Sequence, residues 1–243
     1  MGKSSGQAGI DKIMLSYLRF QTPKENKGNI IAFFLIFLYV IGMIPIIAVP
    51  FSATYFKLSI VPVIILQSWA LIYIIAPYKF EKSYYLFFGV YGVVNTYVYF
   101  LVIQKLLYLH LGVEGKGPFV IGFLLFIGLL ATMNWLNIKA LYTGTYHKMQ
   151  QMESINVRWL SFAGLGYVIG QLILMFVYSE SAKMMFFIFL ISLLSIVTAY
   201  FSVYLHRYFY IVKNKDLVKQ VYPDFGLPLN ERQDESKKSK RKK

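Results

Sequence analysis

The sequence contains no cysteine and few charged residues. Without cysteine the chain has no disulfide, no thiolate metal site and no cysteine nucleophile. Only 15% of the 243 residues are charged, whereas 57% are hydrophobic and 18% are aromatic. That composition excludes both a disordered chain and a water-soluble enzyme surface. The positions of the few charges therefore decide the class of protein.

Six long runs without a formal charge separate the charged clusters. About 20 apolar residues, each rising about 1.5 Å, cross the hydrocarbon core of a bilayer as a helix, and every run is long enough. We therefore predict an all-α, polytopic membrane protein built as a six-transmembrane-helix bundle. The predicted spans are residues 29–51, 58–78, 84–106, 118–138, 159–178 and 184–208.

The distribution of basic residues predicts the orientation. With six spans, 21 of the 25 lysines and arginines fall in the segments that share a side with the two termini, and four fall on the other side. By the positive-inside rule, both termini are expected in the cytoplasm. Residues 1–28 then form a cytoplasmic arm with a short amphipathic helix, residues 29–211 form the membrane domain, and residues 212–243 form a basic cytoplasmic tail.

Two parts of the predicted tail differ in character. The aromatic and proline residues of 221–229 indicate a segment that docks against another surface, which could be the protein's own inner loops. From about residue 232 the chain is expected to be disordered, because almost no apolar residue remains to pack. Its last cations are expected to attract anionic lipid, and they are Lys237, Lys238, Lys240, Arg241, Lys242 and Lys243.

Acidic residues are missing from the predicted spans. Proton-coupled transporters and intramembrane hydrolases need a titratable group at membrane depth, and the three histidines are scattered. We therefore predict no catalytic residue, no cofactor and no metal site, and a lipid-modifying enzyme is the least favoured function. The eleven acids are Asp11, Glu25, Glu81, Glu114, Glu153, Glu180, Asp216, Asp224, Glu231, Asp234 and Glu235.

The predicted spans do contain neutral polar side chains. Gln67, Asn95 and Gln171 lie near the middle of three spans, and Asn134 lies near the inner end of a fourth. Such amides could line a path for a polar solute. The favoured interpretation is hydrogen bonding between helices, which contributes about 0.6–2 kcal/mol per bond in a bilayer.

Small residues indicate where helices pack closely. Gly166 and Gly170 form a GxxxG pair on the predicted fifth span, and Ser195 and Ala199 make a similar face on the sixth. The partner helix could belong to this chain or to another subunit.

These features favour a non-catalytic integral membrane subunit or accessory factor that acts through helix packing and cytoplasmic contacts. The alternative is a permease subunit that moves a small polar or lipid-like solute, with a separate ATPase. Expected partners are membrane lipids and either other membrane subunits or further copies of the chain. Nucleic acid is not expected, because the basic residues are scattered without a binding fold. Span lengths favour a bacterial cytoplasmic membrane, with the endoplasmic reticulum as the alternative.

Overall fold

The structure, a computed structural model, describes residue 17, residues 21–146, residue 148 and residues 179–232. Within these residues the chain is helical and contains no strand, which confirms the predicted all-α class. Five helices are long and apolar enough to cross a membrane, as a multi-pass membrane protein requires. They are α1 (Pro23–Ile47), α2 (Ala53–Ile75), α3 (Glu81–His110), α4 (Gly117–Tyr142) and α5 (Glu180–Lys213). A short helix, α6 (Lys215–Val221), follows them.

Several predictions fall on residues that the structure does not describe. The predicted fifth span, 159–178, is among them, and so is the amphipathic helix of the N-terminal arm apart from Tyr17. The chain beyond Arg232, with the six terminal cations, also lies outside the described residues.

Helix α1 begins earlier than its charge-free run. The Thr22 side chain accepts a hydrogen bond from the Glu25 backbone N–H at 3.3 Å, and the Glu25 carboxylate accepts one from the Thr22 N–H at 2.8 Å. This reciprocal capping box, with Pro23 at the first helical position, satisfies backbone donors that a helix start leaves free. The helix therefore has a polar first turn that hydropathy alone does not include.

The middle of α1 is a π-helix, from Phe34 to Met43. Carbonyls at this stretch accept hydrogen bonds from α3: Tyr91 donates to Phe33 at 2.8 Å, and Tyr99 donates to Phe37 at 3.0 Å. A wider turn frees carbonyls from the regular ladder, and a buried carbonyl requires a donor. The two tyrosines supply it and thereby fix α1 against α3.

Helix α3 is the centre of the bundle. In its most apolar stretch 67% of residues are buried inside the protein, whereas in α4 only 6% are. Aromatic side chains of α3 pack towards α1, α2 and α5, and Tyr91 and Phe87 are fully buried. Large apolar side chains of α4 remain exposed, as expected for a helix that faces lipid.

Helices α3 and α5 run antiparallel and approach very closely. A side chain at Gly89 or Gly92 would come within 2.5 Å of the α5 backbone, at Leu205 and Ser202 respectively. One turn further along, the hydroxyls of Thr96 and Thr198 hydrogen-bond at 3.0 Å. The glycines thus allow the approach, and the threonine pair satisfies polar groups inside the seam.

The bundle has two ends that differ in chemistry. The end that carries Tyr17, the α2–α3 turn, the end of α4 and the segment after α5 is called the basic end here, because most described cations lie there. The opposite end, where α3 finishes and α5 begins, is the far end.

Lys105, one of the four cations assigned from the sequence to the side opposite the termini, is a buried residue of the far end. Lys105 is fully buried, and its ammonium donates to the carbonyls of Pro45 at 2.7 Å, Ile46 at 2.9 Å and Ala48 at 2.6 Å. The last carbonyls of a helix lack intrahelical donors, so Lys105 closes the C-terminus of α1. In the sequence, the charge-free stretch that begins at residue 83 ends at Gln104, but helix α3 continues through Lys105 to His110.

Candidate functional site at the basic end

The mid-span amides have different environments. Gln67 is exposed on α2, whereas Asn95 is fully buried in α3, and neither of its amide atoms has a hydrogen-bond partner among the described residues. Gln171 lies outside the described residues. Gln67 thus does not line the interior in which Asn95 is buried.

Asn134 joins two helices. Its amide donates to the Ser202 hydroxyl of α5 at 2.9 Å and to the Leu130 carbonyl of its own helix at 2.9 Å. On α5, Ser195 and Ala199 are buried, and the Ser195 hydroxyl donates to Ile191 at 2.9 Å. The predicted packing pair Gly166 and Gly170 lies outside the described residues.

A polar cluster beside Tyr17 connects three parts of the chain at the basic end. The Tyr17 hydroxyl hydrogen-bonds to His206 Nδ1 of α5 at 2.8 Å and accepts from the Asn137 amide of α4 at 3.1 Å. The Tyr146 hydroxyl donates to the Asn137 Oδ1 at 2.6 Å. Four polar groups from distant positions thus satisfy one another in a partly buried cluster.

Burial raises the pKa of the Tyr17 hydroxyl, mainly because the phenolate would lose its hydration. Burial likewise raises the pKa of Tyr146 above its ordinary value. Both hydroxyls therefore stay protonated at physiological pH and keep their hydrogen bonds. The cluster joins the N-terminal segment, α4 and α5.

Arg207 adds a cation to this cluster. Its guanidinium lies 5.1 Å from the Tyr17 ring and 4.8 Å from the Tyr204 ring, both at cation–π distance. In the part of the chain that the structure describes, no carboxylate forms an ion pair with it, and its Nε is buried without a partner. The aromatic faces supply the compensation for its charge.

A second cluster fastens the C-terminal segment, residues 222–232, which we call the strap. The buried Glu81 carboxylate at the start of α3 accepts a hydrogen bond from the Gly226 N–H at 2.6 Å and forms an ion pair with Arg232. Arg232 also donates through Nε to Leu227 at 2.9 Å and stacks 5.0 Å from the Tyr78 ring. These contacts hold the strap against the α2–α3 turn.

The turn of the strap at Gly226 packs closely against Lys82. Gly226 has a φ of +77°, which favours glycine, and a side chain there would run into the Lys82 side chain. Phe225 is buried in the main hydrophobic core. The strap is therefore packed into the membrane domain and not merely laid across it.

Sequence reasoning missed the Glu81–Arg232 pair, because the two residues are 151 positions apart. Arg232, at the start of the predicted disordered stretch, has a side chain that is 7% exposed. The available signal was the aromatic and proline pattern of 221–229, which indicated docking without naming the surface.

Among the described residues, no group of three or more histidine or acidic side chains is placed to hold a metal ion. The chain matches no protein-family model, and no curated protein or solved structure is significantly similar to it.

Proposed function

We propose that this chain is a non-catalytic integral membrane subunit or accessory factor whose working surface is the basic end. The observation that carries the proposal is the fastened strap. A buried ion pair and a buried aromatic residue hold the strap in one conformation, which gives a partner a defined surface. At the same end, the hydrogen bonds of Tyr17, Asn137 and His206 join the N-terminal segment, α4 and α5.

Six spans with both termini in the cytoplasm belong to this proposal. Helix α4 finishes at the basic end beside His206, whereas α5 begins at the far end, where Met184 packs near Ile46 and Leu106. The described chain thus leaves α4 at one end of the bundle and enters α5 at the other, and the predicted span 159–178 lies between these two points in the sequence. The concentration of cations at the basic end supports a cytoplasmic orientation.

Orientation can be tested directly because the chain has no cysteine. Lys57→Cys at the far end should react with a membrane-impermeant maleimide in intact cells. Lys219→Cys at the basic end should react only after permeabilisation. Both positions are exposed, so the reverse labelling pattern would overturn the orientation.

The proposed partner surface can be tested by charge reversal at the two ends. Lys213→Glu combined with Lys219→Glu alters exposed cations at the basic end, and Lys57→Glu combined with Lys116→Glu is the matched change at the far end. After purification in mild detergent, native mass spectrometry should show stoichiometric subunits with the wild type and the far-end variant, and their loss from the basic-end variant. A lone chain in every case would contradict the proposal.

The alternative function, a permease subunit for a polar solute, has less support. Its predicted path required Gln67, Asn95 and Gln171 to share an interior, and Gln67 is on the outside of α2. Replacement of all three amides by Leu should leave the protein functional under the favoured proposal. Loss of solute transport by a folded triple variant would favour the permease instead.

A further inference from the structure

A cavity of about 180 Å³ lies within the membrane domain between α3, α4 and α5. Its walls include the apolar side chains of Phe100, Leu125 and Phe126. Leu125 is 68% exposed on the surface of α4, so the cavity has one wall beside the bilayer. Its position and its walls suit the chain of a lipid.

The cavity also contains an amide with unmet hydrogen-bonding capacity. Gln104 lines the cavity and is 1% exposed, and its Oε1 is buried without a partner among the described residues. Gly122 of α4 lies opposite, and a side chain there would overlap the Gln104 carboxamide. An unpaired buried carbonyl costs about 1–3 kcal/mol, so a ligand that donates to this group would be favoured.

The hydroxyls around the cavity are available as acceptors. Ser192 donates to Ile188 at 2.7 Å and Ser195 donates to Ile191 at 2.9 Å, each within α5. A hydroxyl that donates to its own helix keeps lone pairs that can accept. The polar side of the cavity thus offers acceptors and one carboxamide.

The lining carries no charged side chain among the described residues. The neighbouring Lys105 directs its ammonium to three carbonyls of α1. A phosphate or carboxylate headgroup would therefore be buried without a cation, which is strongly unfavourable. The chemistry matches a neutral group that carries a hydrogen-bond donor.

The size sets which part of a ligand enters. Pockets that enclose a whole drug-sized molecule usually have about 300–1,000 Å³. The cavity, at about 180 Å³, holds a hydroxyl and the first carbons of a chain, with the remainder lying along α4 in the bilayer.

We propose that this cavity binds the hydroxyl end of a neutral lipid alcohol, such as a diacylglycerol, and that Gln104 pairs with the hydroxyl. The binding site is separate from the partner surface at the basic end, and the two proposals can fail independently.

The test uses the full-length protein in nanodiscs and a diacylglycerol that carries a photoreactive diazirine near its glycerol. Mass spectrometry should locate the crosslinks on cavity residues of α3, α4 or α5. Unlabelled diacylglycerol should compete about three- to tenfold more effectively than triacylglycerol, in which the same hydroxyl is acylated. This factor corresponds to one hydrogen bond of about 0.65–1.4 kcal/mol.

Matched variants separate the cavity from general lipid contact. Gln104→Leu should reduce labelling by about three- to tenfold, whereas Gln67→Leu, an exposed amide on α2, should not. If Gln104→Leu fails to fold, Ser192→Val should narrow the cavity and give the same loss.

Three results would overturn the proposal. Equal competition by triacylglycerol would show that the hydroxyl does not contribute and that the cavity makes only apolar contacts with lipid chains. Stronger competition by phosphatidic acid would contradict the neutral headgroup. Crosslinks spread evenly over lipid-facing residues, or unchanged by both cavity variants, would show that there is no site.

Discussion

Removal of the Arg232 guanidinium should release the strap. Arg232 and Glu81 are 7% and 3% exposed, and the Gly226 N–H shares the same carboxylate. Loss of one partner from a buried, hydrogen-bonded ion pair typically costs about 3–5 kcal/mol, because the remaining buried charge loses its counter-ion. Arg232→Met also removes the cation from the Tyr78 ring, an interaction of about 0.5–1 kcal/mol.

The strap can relieve this cost locally by moving into water, so the bundle itself should remain folded. Detachment would hydrate Glu81 and break the hydrogen bond from Gly226. A local change of about 3 kcal/mol corresponds to more than a hundredfold increase in the open population. Hydrogen–deuterium exchange in detergent micelles should show this increase at the Gly226 amide, while the amides of α3 keep their protection.

Two comparisons separate the ion pair from a general effect of charge. Lys219→Met removes a cation from an exposed position of α6 and should leave exchange in the strap unchanged. Glu81→Gln should also release the strap, and the effects of the two changes should be less than additive in the double variant, because the Glu81–Arg232 ion pair is common to both. Wild-type protection of the strap in Arg232→Met would refute the reasoning.

Two further predictions concern the helix contacts. Gly92→Val should prevent the approach of α3 to α5 and destabilise the bundle by several kcal/mol. Gly128→Val, where no atom of the described residues lies within 4 Å of the added Cβ, should have little effect on thermal unfolding in detergent. A tolerated Gly92→Val would contradict the close seam. Lys105→Met should leave three α1 carbonyls without their donor and lower the free energy of unfolding by about 1–3 kcal/mol. Lys116→Met, at an exposed position, should not change it. Equal melting temperatures for the two variants would contradict this role of Lys105.

The sequence determined the helical class and where most of the described spans lie. Helix length and hydropathy are local quantities, because each backbone polar group in a bilayer must bond within its own segment. Four predicted spans, 29–51, 58–78, 84–106 and 118–138, fall largely within α1 to α4. The sixth, 184–208, lies within α5. The start of α1 differs from the predicted one because the polar residues of the Thr22 capping box belong to the helix.

Local patterns could not assign the faces of the helices. Gln67 and Asn95 look equivalent in the sequence, but one is exposed on α2 and the other is buried in the central helix. In a chain whose spans are apolar on all sides, hydropathy has no preferred face, so packing geometry decides which side is inside. The sequence analysis also did not identify the close contact at Gly89 and Gly92. The two glycines lie among aromatic residues and are three positions apart, so they do not form a GxxxG pair.

What the sequence by itself determined is a helical chain whose solvent is lipid, with its charges kept to the ends of the spans. Only the tertiary structure decided that Glu81 pairs with Arg232, that Lys105 closes α1 and that Gln104 points into a cavity. Each of these groups finds its environment through residues of another helix or of a distant segment. The burial of a polar group depends on the whole fold, and no local spacing encodes it.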